Sequence, residues 1–258
     1  MLTVFCSVKN AAAYAEVFLL SAANKGFRPG EAIRLVMLVG ESQDDTEKIC
    51  RRLITTIPIR TKLIMERSLD RKMRRRMAEI NESNAHQFNE GMWDFLRDNF
   101  HFNARFYAGI HVDVEFVKPG LWRFLLNRLI SRDAVVGSLF DPGELYRPNG
   151  DFWVSMPRFF PLVAIARRRS AQRFGIDWTR SQCEKCPNIL YDNGAEALRA
   201  AITSKVRIEV FTEGELKTYI RHFGFVWTRN YVSLLYKSAG QKSRREVAER
   251  LRILRRRT

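Results

Sequence analysis

The chain has 258 residues, 46% hydrophobic and 28% charged, enough to bury a sizeable core without a disulfide or metal staple. Its formal charge of +16 and pI of about 10.2 imply an anionic neighbour, whether nucleic acid, an anionic membrane surface or a phosphorylated substrate. No apolar run reaches bilayer length, and Met1-Leu2-Thr3-Val4-Phe5 lacks the basic start and cleavage site of a signal peptide. The cysteines (Cys6, Cys50, Cys183, Cys186) make no disulfide framework, and Cys183-Glu184-Lys185-Cys186 is a lone CxxC without a second ligand pair for zinc. This cysteine usage points to a reducing, cytoplasmic setting.

Leu2 to Ser7 is an apolar, β-rich run, and Ala11 to Asn24 has helical composition and period. Ile33 to Val39 predicts a second strand, Gly40 to Gln43 a turn, and Asp44 onward a helix capped by Asp44, Asp45 and Thr46. This β-α-β-α order is the pattern of a parallel sheet covered by helices. Pro58 to Met65 fits a third strand, followed by a basic helix over Arg67 to Glu79 and a helix over Met92 to Asp98. Phe106 to Val112 predicts a strand leading into an acidic pair, Leu121 to Ser131 a helix with Trp122, Leu125, Leu126 and Leu129 on one face, and Ala134 to Phe140 another strand. Beyond that the pattern weakens. Asp141 to Asp151 is rich in Gly and Pro, and Phe159 to Arg173 mixes strand and helix signals. Gly194 to Ser204 reads as a helix, Val206 to Phe211 as a strand and Arg244 to Arg257 as a basic amphipathic helix.

The segment from Ile110 to Gly120 carries the clearest chemistry. An apolar approach (Phe106, Tyr107, Ile110) runs into Asp113 and Glu115, and Pro119-Gly120 closes it. Residues two apart on a strand point to one face, so at a strand end the two carboxylates can aim at one point. Two hard oxygen donors suit Mg²⁺ or Mn²⁺, which reach proteins through one or two carboxylates plus substrate phosphates. The same pair also fits an edge strand with two solvated acids.

These features, in this order, resemble the family 2-like nucleotide-sugar glycosyltransferases of the GT-A fold. Thr3 to Asn24 is similar to that family's opening strand and helix, and Arg34 to Thr46 to its second strand and Asp-rich turn. Asn89-Glu90-Gly91 resembles the start of the helix before the metal strand. His111-Val112-Asp113-Val114-Glu115 with Lys118-Pro119-Gly120 resembles the DxD motif and its downstream turn. Tyr191-Asp192-Asn193-Gly194-Ala195 is similar to the acidic helix start that holds the base, and His222-Phe223-Gly224 to a late metal-site histidine. The chain departs from the pattern at Gly40, where an acid is usual, at Glu115 in place of Asp, and at Phe88 in place of Arg.

The resemblance implies an α/β, GT-A-like fold, with a mostly parallel central sheet and flanking helices in a single domain over 1–235. Residues 236–258 form a basic C-terminal helix. It implies sugar transfer from a nucleoside diphosphate sugar to a saccharide or lipid-linked acceptor, in the building of a surface or secreted polysaccharide. Asp113, Glu115 and His222 would hold a divalent cation, Mn²⁺ or Mg²⁺; His222 also reads as a structural histidine beside Phe223 and Phe225. Asp192 would take the acceptor proton, with a helix cap as its other role and Asp177 and Asp151 in reserve. Direct displacement by such a base inverts the anomeric carbon. Ligands of open α/β sheets bind over the carboxyl ends of the strands, which puts Ser7, Lys9, Glu41 and Asp44 near the base and ribose. Lys9 also reads as a solvated turn residue. Arg158 falls where the family places donor or acceptor sugar and can clamp a phosphate through its planar fork.

In the tail, Val247, Leu251 and Leu254 form an apolar stripe flanked by Arg245, Arg250, Arg252, Arg255 and Arg256. Such a helix either lies on an anionic membrane surface, placing the protein peripherally on the inner face, or packs on the domain. A sugar nucleotidyltransferase is disfavoured because Ser7-Val8-Lys9-Asn10-Ala11 has no glycine for a phosphate loop. Nucleic acid is disfavoured because the basic clusters lack interleaved aromatics or a recognised module. The alternative reading is a basic, non-catalytic relative that binds an anionic surface or nucleic acid.

Overall fold

The computed structural model describes residues 1–83, 91–100, 102–141, 145–146, 153–155, 157–178, 189–190, 194–223 and 234–256. The first half alternates strand and helix: β1 (Leu2–Val8), α1 (Ala12–Ser21), β2 (Ile33–Val39), α2 (Thr46–Leu53), β3 (Arg60–Met65), α3 (Arg71–Ser83), α4 (Gly91–Asn99) and β4 (Phe106–Ile110). There follow β5 (Val114–Phe116), α5 (Leu121–Ser131), β6 (Val136–Asp141), β7 (Leu145–Tyr146), β8 (Trp153–Ser155), β9 (Arg158–Arg167) and α6 (Arg168–Arg173). The last elements are β10 (Ile189–Leu190), α7 (Ala195–Thr203), β11 (Ile208–Phe211), α8 (Glu213–Lys217), β12 (Ile220–His222) and α9 (Leu234–Leu254).

Seven strands form the main sheet in the order β11-β6-β9-β4-β1-β2-β3. All neighbouring pairs are parallel except those of β9, which runs antiparallel to β4 and β6. Every residue of β1 is buried, as expected of a central strand with both faces covered. Its side chains alternate between two cores. Val4, Cys6 and Val8 join the layer with α1, α5 and α9, whereas Phe5 joins the layer with α3, α4 and α7. α1 is buried from Ala15 to Ser21 and packs against α2 and α9. That enclosure explains why its apolar residues run all round rather than in a stripe.

Two differences from the sequence expectation concern the sites of charge. The basic helix begins at Arg71 rather than Arg67, because Asp70 accepts from Met73 N (2.8 Å) and caps it, after a single 3₁₀ turn over Glu66–Ser68. The acidic pair does not continue the strand that precedes it. β4 ends at Ile110, the chain bends at Val112 and Asp113, and β5 pairs antiparallel with β12 as a separate two-stranded ribbon. Across the sheet β9 carries Pro161, which has no N–H to donate, and the β6–β9 register slips between Ser138 and Leu139.

α9 completes the first core layer. Val247, Leu251 and Leu254 are buried in it. The helix therefore turns its apolar stripe into the domain, and Arg250 and Arg255 beside that stripe reach the buried acids Glu115 and Glu16. Among the described residues no helix is long and apolar enough to cross a membrane.

Candidate active site

The site is built where β4 leaves the sheet at its carboxyl end. His111 N still bonds Leu162 O (3.1 Å), and the bend that follows turns Asp113 toward β12. Phe223 N donates to Asp113 O (3.0 Å), extending the β5–β12 ribbon by one bond. His222 Nε2 then lies 3.1 Å from Asp113 Oδ2, and His111 Nδ1 lies 3.7 Å from Oδ1. One ligand atom from each of His111, Asp113 and His222 lies within 4.8 Å of the others.

The trio grades from buried to open: Asp113 is 2% exposed, His111 half-buried and His222 exposed. Burial pushes the Asp113 carboxyl up, but the attraction of the neighbouring His111 and His222 imidazoles outweighs it and holds the group well below the usual carboxylate range. Its Oδ1 is buried and makes no hydrogen bond. A buried, ionised oxygen without a donor is costly, and a cation would satisfy it. Two imidazole nitrogens and one carboxylate oxygen suit Mn²⁺ and its transition-metal neighbours better than Mg²⁺.

Trp93 of α4 forms the wall behind His111, with ring centroids 6.0 Å apart at an edge-on angle. It can sit there only because Gly109 has no side chain: a Cβ would fall 2.0 Å from the indole. Trp178 meets Trp93 edge-on at 6.0 Å. Behind the two indoles, Asp94 accepts from Trp178 N, and buried Arg97 bridges Asp94 (2.7 Å), Asp98 (2.7 Å) and Ile176 O (3.3 Å). Burial pushes the Asp94 carboxyl up; Arg97 opposes this and the Asp177 carboxyl, which shares a hydrogen bond with it, adds to it. Asp177 is thereby engaged in this network.

Glu115 does not join the trio. It is 1% exposed, and Arg250 of α9 clamps it through Nε to Oε2 (2.9 Å) and Nη2 to Oε1 (2.5 Å) while Arg221 Nη1 adds 3.2 Å. Asp113 and Glu115 therefore do not aim at one point. The residue that shares a site with Asp113 is His111, two positions before it rather than two after.

The fold is similar to that of solved glycosyltransferases. A mannosyltransferase from Pyrobaculum calidifontis, solved with GDP-Man and Mn²⁺, superposes with a TM-score of 0.54 at 16% identity over 89% of this chain. A 1–349 fragment of S. aureus TarS superposes with a TM-score of 0.50 at 13% identity over 96% of it. The chain has the GT-A fold. It spans 58% of the length of the first of these structures and 64% of the second. No protein-family model matches the sequence, and no curated protein sequence matches it either.

In this GT-A sheet the predicted nucleotide residues gather at the carboxyl ends of β1 and β2, where two loops are knitted together. Asn10 N donates to Ser42 Oγ (3.0 Å), Gln43 N to Asn10 Oδ1 (2.7 Å), Ala11 N to Thr46 Oγ1 (2.9 Å) and Gly40 N to Val8 O (2.8 Å). Asp44 takes part in this seam, accepting from Ala12 N (3.1 Å) and Thr46 N (3.0 Å), so its carboxylate ties the starts of α1 and α2. Ser7 is buried at the end of β1. Lys9 is half-buried, lies 3.9 Å from Glu66, and lays its stem over Gly40, where a Cβ would fall 2.9 Å from it. A side chain at position 40 would have to displace the Lys9 stem. Glu41 is exposed, and its N–H bonds Glu66 Oε2 (2.7 Å).

Arg158 opens β9 opposite Asp141, the last residue of β6, and its Nε lies 2.9 Å from Asp141 Oδ2. Both sit at the same end of the sheet as the trio. Asp192, Asp151, the Cys183–Cys186 pair and Asn89-Glu90 lie outside the described residues. Gly194, two residues after Asp192, opens α7 at φ +86°, with its Cα against Phe159 O where a Cβ would clash at 2.2 Å. His111 and Trp93 are the participants that sequence reasoning missed. The His-x-Asp spacing was the available signal for the first.

Proposed function

We propose that the chain is a metal-dependent glycosyltransferase, moving a sugar from a nucleoside diphosphate sugar to a saccharide or lipid-linked acceptor with inversion. The observation that carries this reading is the His111–Asp113–His222 trio, with its orphaned carboxylate oxygen, at the carboxyl end of a GT-A sheet. The mannosyltransferase likeness supports it, since that protein was solved with a nucleotide sugar and Mn²⁺. The donor set fits a divalent cation, and when bound the ion supplies charge neutralisation for the leaving diphosphate. Asp113 provides the fixed anionic ligand, while His111 and His222 hold it ionised and add nitrogen donors.

The chain's own residues supply the rest. The knitted loops after β1 and β2, with Ser7, Lys9, Glu41 and Asp44, form the shelf for base and ribose. Lys9 and Arg158 can offer cationic groups to phosphates by releasing their carboxylate partners. Asp192, two residues before Gly194 in the sequence, is the base that takes the acceptor hydroxyl's proton, and direct displacement of the nucleoside diphosphate by that oxygen inverts the anomeric carbon. Trp93 and Trp178 keep the back of the site dry, which strengthens every charge interaction there.

A thermal-shift screen of UDP-, GDP-, dTDP- and CMP-linked sugars, with and without Mn²⁺, tests the reading on the natural chain and Asp113→Ala. A nucleotide-selective, Mn²⁺-dependent rise that vanishes in Asp113→Ala supports it, because a ligand that binds only the native state stabilises it by mass action. Absence of any shift at roughly millimolar donor, the upper end of typical KM values, would replace it with a non-catalytic anionic-surface binder.

A further inference from the structure

The Arg167-Arg168-Arg169 run has no role in the site above, and its place in the fold gives it one. Arg105 precedes β4 and Arg167 ends the antiparallel β9, so both lie at the amino end of the parallel strands. His111 follows β4 at the other end. Six residues of extended chain separate Arg105 from His111, about 20 Å at roughly 3.3 Å per residue.

At that far rim Asn103, Ala104, Arg105, Arg167, Arg169 and Ser170 line a cavity of about 390 Å³. No carboxylate is among its walls. Among the described residues neither Arg105 nor Arg169 has an acidic partner, and Arg167 has only exposed Asp133 at 3.1 Å. Elsewhere arginines that converge on one place do so on an acid, as Arg250 and Arg221 do on Glu115 and Arg51 and Arg67 on Glu47. Three arginines lining one concavity, of which only Arg167 has an acidic partner, favour an anion there.

The pocket is also held in shape before any ligand arrives. Arg105 N bonds Met1 O (3.1 Å), Arg168 N bonds Arg105 O (3.1 Å) and Arg167 N bonds Val135 O (2.8 Å). Arg167 Nε bonds Ala134 O (2.8 Å), and Arg168 is tied by Nη1 to Phe102 O, which keeps it out of the cavity wall. The Phe106 ring seats the guanidiniums of both Arg105 (5.5 Å) and Arg167 (6.0 Å). Such preorganisation lowers the ordering cost of binding.

We propose that Arg105, Arg167 and Arg169, with Ser170 and Asn103, form a second anion site, for a phosphate-bearing group, remote from the metal trio. A phosphate monoester brings close to two charges and three acceptor oxygens, which match several planar forks at once; a carboxylate brings one charge and two oxygens. The volume leaves room for the group that carries the phosphate. The source is either a soluble phosphorylated compound or a phospholipid headgroup, and the test separates them.

Inorganic phosphate is titrated calorimetrically into the full chain at physiological salt. In a parallel arm the chain is sedimented with phosphatidylcholine vesicles, with and without phosphatidic acid, whose headgroup is a phosphate monoester. The variants are Arg105→Glu with Arg169→Glu, the milder Arg169→Gln, and a control reversal of equal charge on α9, Arg245→Glu with Arg252→Glu. All four positions are exposed, and circular dichroism confirms folding. Saturable phosphate binding, weakened at least about tenfold by the pocket reversal and under threefold by the control, establishes the site. Phosphatidic-acid-dependent sedimentation with the same arginine dependence assigns it to a lipid headgroup, and its absence to a soluble phosphate. No saturable binding in either arm, or equal losses in the pocket and control variants, overturns the proposal. Mn²⁺ and nucleotide-sugar binding stay unchanged throughout if the two sites are separate.

Discussion

Asp113 and Glu115 are two residues apart, equally buried, and opposite in character. Glu115 is gripped by two guanidiniums that occupy both its oxygens, and the grip ties α9 to the β5–β12 ribbon. Asp113 has two imidazoles and one buried oxygen without a donor. Arginine cannot give up its proton or share a metal, so an acid wrapped in guanidinium is a structural joint. Imidazole can ligate a cation beside a carboxylate, so an acid flanked by histidines and left unsatisfied is a site. Burial alone does not distinguish the two; the partners do. Glu16 repeats the first pattern on α1, held by Arg255 and Arg52.

The contrast predicts that the two acids fail differently. Asp113→Ala should lower sugar transfer by about a thousandfold or more and abolish Mn²⁺ binding by calorimetry, since it removes the one anionic ligand of the trio. Its melting temperature should fall only slightly, because the favourable pairing of the carboxylate with the imidazoles is lost together with its costly unpartnered Oδ1. Glu115→Gln should do the reverse. Removing one partner of a buried ion pair costs about 3–5 kcal/mol, and here about 2–3, because Arg250 and Arg221 are 23% and 47% exposed and regain water. That lowers the melting temperature by about 5–10 °C for a chain of this size. Equal effects of the two substitutions on Mn²⁺ affinity, measured well below the melting point, would erase the distinction.

Most of the scaffold was legible in the sequence because the first half obeys local rules. β1, β2 and β3 are short apolar runs between caps and turns, and their helices follow in order. The site was only partly legible, for two physical reasons. The bend at Val112-Asp113 broke the period-2 argument: it separates Asp113 from Glu115 and leaves His111 beside Asp113, an outcome that depends on β12 pairing from more than a hundred residues away. Nor could the tail disclose where its stripe would turn. Val247, Leu251 and Leu254 read equally as a membrane face or a core face, and contact with α1 decides. Nothing local in the sequence signals that Asp94 and Arg97 are buried behind Trp93 and Trp178.

Smaller effects sharpen the comparison. His111→Asp should convert two nitrogens and one oxygen into one nitrogen and two oxygens. The preference for Mn²⁺ over Mg²⁺, read as a ratio of dissociation constants, should then fall by about tenfold. An unchanged ratio would remove His111 from the coordination shell. A pH test concerns the seam under α2. Burial first, then the Asp44 and Glu47 carboxylates, push the Cys50 thiol up to about 12. Its folded value is raised, so this contribution to stability is complete below the unfolded thiol's pKa, near about 8.5, and is lost as pH climbs from there toward about 12. Urea midpoints of Cys50→Ala should therefore fall less steeply above about pH 8.5 than those of the natural chain. Parallel slopes would mean that Cys50 titrates normally.

The smallest effect discriminates best, because it compares two arginines on one helix. Arg250 and Arg255 each make a two-pronged contact with a buried glutamate, and each glutamate keeps a second arginine, Arg221 at 3.2 Å or Arg52 at 3.3 Å. They differ in exposure and address. Arg255 is 60% exposed and reaches Glu16 in the middle of α1, far along the chain from any ligand. Arg250 is 23% exposed and reaches Glu115, one strand position from Val114 and its partner His222. Exposed pairs contribute about 0–1 kcal/mol, so Arg255→Ala should cost no more than about 1 kcal/mol in urea and leave Mn²⁺ affinity within twofold. Arg250→Ala should cost about 2 kcal/mol and also weaken Mn²⁺ severalfold, because the ribbon that presents Asp113 to His222 loses its anchor. Mn²⁺ affinity that drops equally in both variants would mean that α9 supports the site only by holding the domain together. A drop confined to Arg250→Ala would mean that the structural acid sets the geometry of the reactive one.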